Sequence, residues 1–159
     1  MKKDTLITVL AISCVFCLAF MVLALCLGNR PEEAPFTPPP FDSTAVTGTP
    51  TVPEELSWQE LDAKAFRVGV CGVVTLQGNS ADIWLTNHED NTVWLKARLL
   101  DEQGEILGET GLIRPGEYVQ TVQFTKAPNK GDKIRIKVMS YTPDVYTSEG
   151  VASFETTIS

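Results

Sequence analysis

The sequence predicts an all-β domain, an Ig-like antiparallel β-sandwich of about seven strands, preceded by one transmembrane α-helix and a proline-rich linker. Three observations predict this arrangement. Residues 6–27 form an uncharged apolar run without proline, and residues 31–55 hold seven of the ten prolines. Residues 56–159 break into short runs of alternating apolar and polar residues, separated by turn-forming residues. Short alternating runs of this kind are typical of an antiparallel sandwich.

The apolar run at 6–27 is long enough to cross a bilayer. As a helix it would extend roughly 33 Å, against about 30 Å of hydrocarbon. Lys2 and Lys3 precede the run, and Arg30 follows it together with two glutamates. The positive-inside rule therefore predicts a cytoplasmic N-terminus. The predicted location is the cell membrane, with a single pass and an extracellular C-terminal domain.

Two alternatives to an uncleaved anchor stay open. The first is a cleaved signal peptide, although such a peptide has a shorter apolar region of about 7–15 residues and ends at a small-x-small site. Cys26 fits a lipoprotein, in which the thiol becomes acylated. However, Leu25 occupies the position before it, where such signals carry Gly, Ala or Ser.

The chain divides into three predicted segments. Residues 1–30 form the anchor, 31–55 a disordered Pro/Thr-rich linker, and 56–159 the β-sandwich. Residues 31–159 carry 10 basic and 19 acidic side chains, a net charge of 10 − 19 = −9. So acidic a surface repels phosphate backbones, and nucleic acid is not expected as a partner. Cys71 is the one cysteine of the sandwich segment, and we expect it to be a buried small apolar side chain.

Alternation predicts seven strands, and local motifs predict the structure around them. The strands are predicted at 66–76, 81–87, 92–100, 105–113, 117–125, 132–142 and 150–158. The sequence Ser-Trp-Gln-Glu at 57–60 has capping-box spacing, which predicts a helical turn near 57–64. Arg-Pro-Gly-Glu at 114–117 fits a type II turn. Gly108 and Gly111 interrupt their strand, which indicates a bulge or a frayed edge.

The strands at 81–87 and 92–100 predict a hairpin that turns at His88. In its register Ile83 faces Leu95, and the whole of that side is apolar. A slip of one residue would destroy every match, because side chains alternate between the two faces of a strand.

The other side of this hairpin carries the predicted partner-contact patch. There Trp84 meets Trp94, beside Lys96 and Arg98. Exposed patches of aromatic and arginine side chains are typical of contact sites for proteins or sugars. The alternative is that this face packs under residues 57–66 or under the second sheet, since tryptophan is usually highly buried.

No catalytic constellation, metal site or cofactor is predicted, and we expect a protein that is not an enzyme. His88 is the only histidine, and it lies in a predicted turn rather than beside a nucleophile and an orienting acid. Glu89, Asp90 and Asn91 offer too few oxygens for calcium, which takes about six to eight ligands.

Three features between Asp82 and Val122 carry a family resemblance. One strand ends in Asn87, a long strand runs into Asp-Glu-Gln-Gly at 101–104, and a Pro-Gly-Glu turn at 115–117 precedes another strand. This stretch resembles bacterial extracellular Ig-like modules of the FxLYD and CARDB type. The layout as a whole looks like that of small single-pass membrane proteins of Gram-positive bacteria. The resemblance implies a binding or assembly role and offers no catalytic residues.

Anchor, linker and sandwich together predict a non-catalytic, membrane-anchored extracytoplasmic interaction module that contacts an envelope or surface protein. One alternative is an accessory structural subunit of an envelope assembly, such as secretion or conjugation machinery. A second is a secreted or lipoprotein carbohydrate-binding module, which depends only on the tryptophans.

Overall fold

The computed structural model describes residues 3–27 and 36–159. These residues belong to two compact units, residues 1–37 and Pro38–Ser159. The described residues of the first unit contain one helix, α1 (Lys3–Leu27). The described residues of the second unit contain ten β-strands and a single 3-10 turn, Glu54–Leu56.

Helix α1 carries exposed apolar side chains throughout its described length. The large apolar side chains between Ile7 and Leu23 are 52–73% exposed. Among the residues that the structure describes, no helix combines the length and the apolarity needed to span a membrane. The anchor at 6–27 therefore stays a prediction. Lys2, Arg30 and the side chain of Cys26, on which its topology and acylation depend, lie outside what the structure describes.

The strands of the second unit form two antiparallel sheets. The strands are β1 (Val46–Thr47), β2 (Trp58–Ala63), β3 (Phe66–Cys71), β4 (Thr75–Gln77), β5 (Ser80–Asn87), β6 (Trp94–Leu100), β7 (Ile106–Glu109), β8 (Glu117–Gln123), β9 (Lys133–Tyr141) and β10 (Ser148–Thr157). The six-stranded sheet has the order β1-β8-β5-β3-β2, with β4 beside β5, and the four-stranded sheet has the order β10-β9-β6-β7. The predicted all-β antiparallel sandwich is confirmed, with ten strands where about seven were predicted.

The hydrophobic core lies between the two sheets. It takes alternate residues from strands of both, so that their other residues point outward. The inward residues of the three strands discussed below are Ala81, Ile83 and Leu85 on β5, Leu95, Ala97 and Leu99 on β6, and Ile134, Ile136 and Val138 on β9. Burying each large apolar side chain contributes about 1.5–3 kcal/mol.

The predicted hairpin between 81–87 and 92–100 is wrong. Strand β5 pairs with β3, β4 and β8, whereas β6 pairs with β7 and β9 in the other sheet. Ile83 and Leu95 do belong to one apolar core, but they approach it from opposite sheets. Alternation predicts which side chains point inward; it does not distinguish a neighbouring strand from a facing sheet.

The helical turn predicted near 57–64 is also wrong. Residues Trp58–Ala63 form β2, which pairs along its whole length with β3. Ser57 has a left-handed backbone, with φ of 50°, and ends the 3-10 turn. A helix N-cap has extended backbone angles instead, so Ser57 is not placed to cap a following helix.

Residues 38–49, which we call the N-terminal strap, belong to the same compact unit as the sandwich. This differs from the predicted linker at 31–55, whose residues 31–35 lie outside the described part. The Asp42 amide donates to the Leu112 carbonyl (2.9 Å), and the Leu112 amide donates to the Pro40 carbonyl (2.9 Å). Proline lacks a donor but keeps its carbonyl acceptor, so proline-rich backbone can still bond to a neighbouring segment.

Two predicted local features agree with the structure. Gly116 has φ of 75°, and the Glu117 amide donates to the Arg114 carbonyl (3.1 Å), as a type II turn at 114–117 requires. A register shift between β6 and β7 lies beside Gly108, which confirms an irregularity there.

Candidate partner-contact site

The structure separates the four residues of the predicted contact patch. Trp84 lies on the outer face of the six-stranded sheet, in β5. Trp94, Lys96 and Arg98 lie on the outer face of the four-stranded sheet, in β6. The predicted Trp84–Trp94 pair does not form, because the two tryptophans flank core residues that belong to opposite sheets.

Trp94 instead contacts two aromatic residues that were not predicted from the sequence as part of the contact patch. The Phe41 ring meets it edge-on, with centroids 4.8 Å apart at 77°, and the Tyr146 ring lies tilted at 5.4 Å. The Arg114 guanidinium lies 3.6 Å from the centre of the Phe41 ring. We call these four residues the Trp94 cluster. The three aromatic side chains are half-buried and Arg114 is exposed, so the cluster is reachable from solvent.

The strap positions Phe41 in this cluster because it fits closely over Gly111. A Cβ added at Gly111 would overlap the backbone of Asp42 and Phe41. The Gly111 amide also donates to Asp42 Oδ2 (2.8 Å). Tyr146 comes from the β9–β10 connection, where its amide donates to the Thr142 carbonyl (2.9 Å) and its own φ is 59°. An aromatic residue within a proline-rich stretch was the available sequence signal for Phe41.

Lys96 and Arg98 share one carboxylate, that of Glu109 on β7. Lys96 Nζ lies 2.8 Å from Glu109 Oε1, and Arg98 Nε lies 2.9 Å from Glu109 Oε2. Partial burial acts to raise the pKa of Glu109, but the hydrogen bonds and positive charges of the two cations outweigh it, so the pKa lies below its ordinary value of 4.5. Lys96 is only 6% exposed, so it serves this ion pair rather than a free surface.

On the opposite face of the sandwich, Trp84 is held by neighbouring groups. Its ring stacks on Tyr118, with centroids 5.9 Å apart at 21°. Trp58 Nε1 donates to the Trp84 carbonyl (3.2 Å), and the Trp58 ring lies where a Cβ at Gly69 would be. Trp84 thus contacts Trp58, which belongs to the 57–66 segment named in the alternative to an exposed patch.

Asp82 lies on the same outer face as Trp84 but is buried, at 6% exposure. Gln77 Nε2 donates to Asp82 Oδ2 (2.5 Å), whereas Asp82 Oδ1 has no hydrogen-bond partner among the described residues. Burial raises the pKa of Asp82 above its ordinary value of 3.8, although the side-chain amides of Gln77 and Gln120 oppose the shift. The pKa of the Cys71 thiol is raised to about 12, mainly because the thiol is buried and to a smaller extent because of the Asp82 charge. The prediction that Cys71 is buried is confirmed.

His88 lies directly after β5, at the start of the connection to β6. Its Nδ1 accepts a hydrogen bond from the Asp90 amide (3.2 Å), and its Nε2 lies 3.9 Å from Glu60 Oε1. Within residues 3–27 and 36–159, no three or more His, Cys, Asp or Glu side chains are grouped so that they could hold a metal ion.

Comparison with known proteins places the chain in no family. No family model matches it, and no curated protein matches it. Among solved structures, a β-glucuronidase from Ruminococcus gnavus in complex with uronic isofagomine is similar over 56% of this chain, with 18% sequence identity and a TM-score of 0.37. The matched region spans 14% of the glucuronidase chain.

Proposed function

We propose that this protein is a non-catalytic, membrane-anchored interaction module whose sandwich contacts an envelope or surface protein outside the cytoplasm. The observation that carries the proposal is the Trp94 cluster. Three aromatic rings from three separate segments meet at the surface, with Arg114 beside them. Aromatic and arginine side chains are the residues that most often dominate binding energy at protein interfaces.

The proposed anchor is supported by the sequence of α1 and by the exposure of its side chains. Residues 6–27 contain no charge, and large apolar side chains are exposed along the described helix. A helix that is apolar on all sides is typical of a membrane span or a buried helix. Anchoring would confine the sandwich to a thin layer, which raises its effective concentration toward partners in the same membrane.

The topology supports an Ig-like arrangement of the sandwich. In that fold strands A, B and E lie in one sheet, whereas C, F and G lie in the other. Strands β3, β5 and β8 are neighbours in the six-stranded sheet, and β6, β9 and β10 are neighbours in the four-stranded sheet. The β5–β6 crossing, the connection that leads from one sheet to the other, then corresponds to the connection between strands B and C. Rigid sandwiches of this kind commonly present binding residues at their surfaces.

A crosslinking capture from intact cells that carry the full chain tests this function. The informative variant is Tyr146→Ala, and its matched control is Tyr118→Ala, the same truncation on the opposite face. We expect Tyr146→Ala to reduce the capture of crosslinked partners and Tyr118→Ala to leave it unchanged. Equal capture by both variants, with thermal melts showing both folded, would count against the Trp94 cluster as the contact site.

The accessory-subunit alternative is favoured by the apolar side chains exposed along α1, the same observation that supports the anchor. In such a subunit the helix itself would pack against other membrane helices. Replacing residues 6–27 with an unrelated membrane anchor separates the two functions. The interaction module predicts that partner capture is retained, whereas the accessory subunit predicts that it is lost.

A further inference from the structure

Positive charge is concentrated on the four-stranded sheet of an otherwise acidic domain. Strands β6, β7, β9 and β10 carry five basic and three acidic residues, a net of 5 − 3 = +2. The rest of residues 38–159 carries five basic and fourteen acidic residues, a net of 5 − 14 = −9. Such separation of charge within one domain favours a surface that recognises the opposite sign.

All five cations of the sheet point outward, because the residues alternating with them are in the core. They are Lys96 and Arg98 on β6 and Lys133, Arg135 and Lys137 on β9. Glu109 bonds Lys96 and Arg98, and Glu155 bonds Arg135 at 2.8 Å. The hydrogen bond from Arg135 holds the pKa of Glu155 below its ordinary value.

Lys137 stands out among these cations. Like Lys133, it has no ion-pair partner among the described residues, but its cross-strand neighbour on β6 is another cation, Arg98. Like charges directly opposite each other on adjacent strands are destabilising. Glu109 offsets only the Arg98 side of this pair, because no carboxylate pairs with Lys137 among the described residues, and a carboxylate bound from outside would relieve the repulsion.

We propose that this basic face, formed by Arg98, Lys133, Arg135 and Lys137, binds an acidic segment of a partner protein, with a carboxylate between Arg98 and Lys137. The proposal rests on the function proposed above and names the chemistry of its partner. Arg98 and Arg135 already bond carboxylates at 2.8–2.9 Å. The β9 cations repeat at every second residue, about 6.8 Å apart, which matches alternate acidic side chains on an extended peptide.

A polypeptide fits this face better than a larger polyanion. Lys133 to Lys137 spans roughly 14 Å, the length of a short peptide segment. A nucleic-acid duplex or an anionic bilayer would extend beyond this patch and meet the acidic remainder of the domain, which repels it.

The test uses the full 159-residue chain in neutral detergent and a labelled oligoglutamate peptide, with binding followed by fluorescence anisotropy. The face variant is Lys137→Glu, and the matched control is Lys130→Glu, the same charge reversal in an exposed connection. We expect salt-sensitive binding that Lys137→Glu weakens at least about tenfold and Lys130→Glu changes little. The unfavourable pair also predicts that Lys137→Glu does not lower the melting temperature.

Four outcomes would overturn the proposal. They are no binding of the peptide, equal loss in both variants, tighter Lys137-dependent binding of duplex DNA or phosphatidylserine vesicles, and a Lys137-dependent dimer in sedimentation, which would make a second copy the occupant. The proposed function is judged separately by partner capture. If Tyr146→Ala abolishes capture but Lys137→Glu does not, the interaction module stands and the acidic partner is wrong.

Discussion

On the outer face of the six-stranded sheet, Trp84 stacks on Tyr118 and its carbonyl accepts the indole hydrogen bond of Trp58. On the outer face of the four-stranded sheet, Trp94 contacts one ring from the strap and one ring from the β9–β10 connection. The first tryptophan is fixed by the strands of its own sheet. The second gathers segments that lie outside the strands, and segments of that kind most often carry binding residues.

The pKa values of one carboxylate on each face are also shifted in opposite directions. Asp82 is buried, one of its oxygens has no hydrogen-bond partner in the described part of the chain, and its pKa is raised. Glu109 receives hydrogen bonds from two cations, and its pKa is lowered. A tryptophan or a carboxylate on a strand therefore has no fixed role, because the groups that surround it decide whether it serves packing or contact.

The largest effect on stability is expected at Asn87, which ends β5 where the chain passes from the six-stranded sheet to the four-stranded sheet. This fully buried side chain donates through Nδ2 to the carbonyls of Val93 and Ile113, both at 2.9 Å. Asn87→Ala leaves two buried carbonyls without this donor, and we expect a loss of roughly 2–4 kcal/mol in the free energy of unfolding. Urea denaturation of the full chain measures it.

Asn129→Ala is the control for this change, since Asn129 is an exposed residue whose bonds go to Asp132 in a loop. We expect it to cost less than about 0.5 kcal/mol. A comparable loss in the two variants would show that the β5–β6 crossing does not depend on the buried amide.

Most of the strands could be predicted from sequence because their inward residues alternate. The predicted 81–87 and 132–142 lie within one residue of β5 and β9 at each end. Strand β2 was missed because it is an edge strand whose residues are half-buried or exposed, so its alternation is weak. The pairing of β5 with β6 was predicted wrongly because two facing sheets and one hairpin produce the same apolar pattern.

The candidate site was predictable only in part. Trp94, Lys96 and Arg98 were predicted together on one strand face, and the structure keeps them together there. Their contacts with Phe41, Tyr146 and Glu109 depend on segments that are distant in sequence. Only tertiary packing brings these residues together, and the local alternation of apolar and polar residues does not predict such contacts.

The next largest effect tests how firmly the Trp84 face is fixed. Gly69→Ala would place a methyl group where the Trp58 ring lies. The ring must move and lose its bond to the Trp84 carbonyl, so we expect a loss of about 1–3 kcal/mol and a shift in tryptophan fluorescence. Gly150→Ala on β10 is the control, because its nearest contact is the Ala65 Cβ at 3.3 Å. If only Gly150→Ala shifted the fluorescence, the Trp84 face would not be the more rigid of the two faces.

A smaller effect is expected from Glu109→Gln on the other face. The change removes the charge that pairs the buried Lys96, and because Glu109 is 42% exposed we expect a loss of only about 1 kcal/mol. The lowered pKa of Glu109 makes its contribution present above its ordinary value of 4.5 and lost as the pH falls. Thermal melts across acidic pH should therefore show a smaller loss in the variant. Glu155→Gln, whose ion pair is exposed, should follow the parent chain.

The smallest effect is expected from Asp82→Asn, and its pH dependence has the opposite sign. Because the folded state raises the pKa of Asp82, protonated Asp82 stabilises the fold below its ordinary value of 3.8, and this contribution is lost as the pH rises. The asparagine stays neutral and can still accept from Gln77, so we expect a gain of less than about 1 kcal/mol near neutral pH and almost none in acid. Asp62→Asn, exposed on the same face, controls for the lost charge. If Asp82→Asn destabilises the chain near neutral pH, the ionised carboxylate has a favourable partner, and the contrast between the two faces does not extend to their carboxylates.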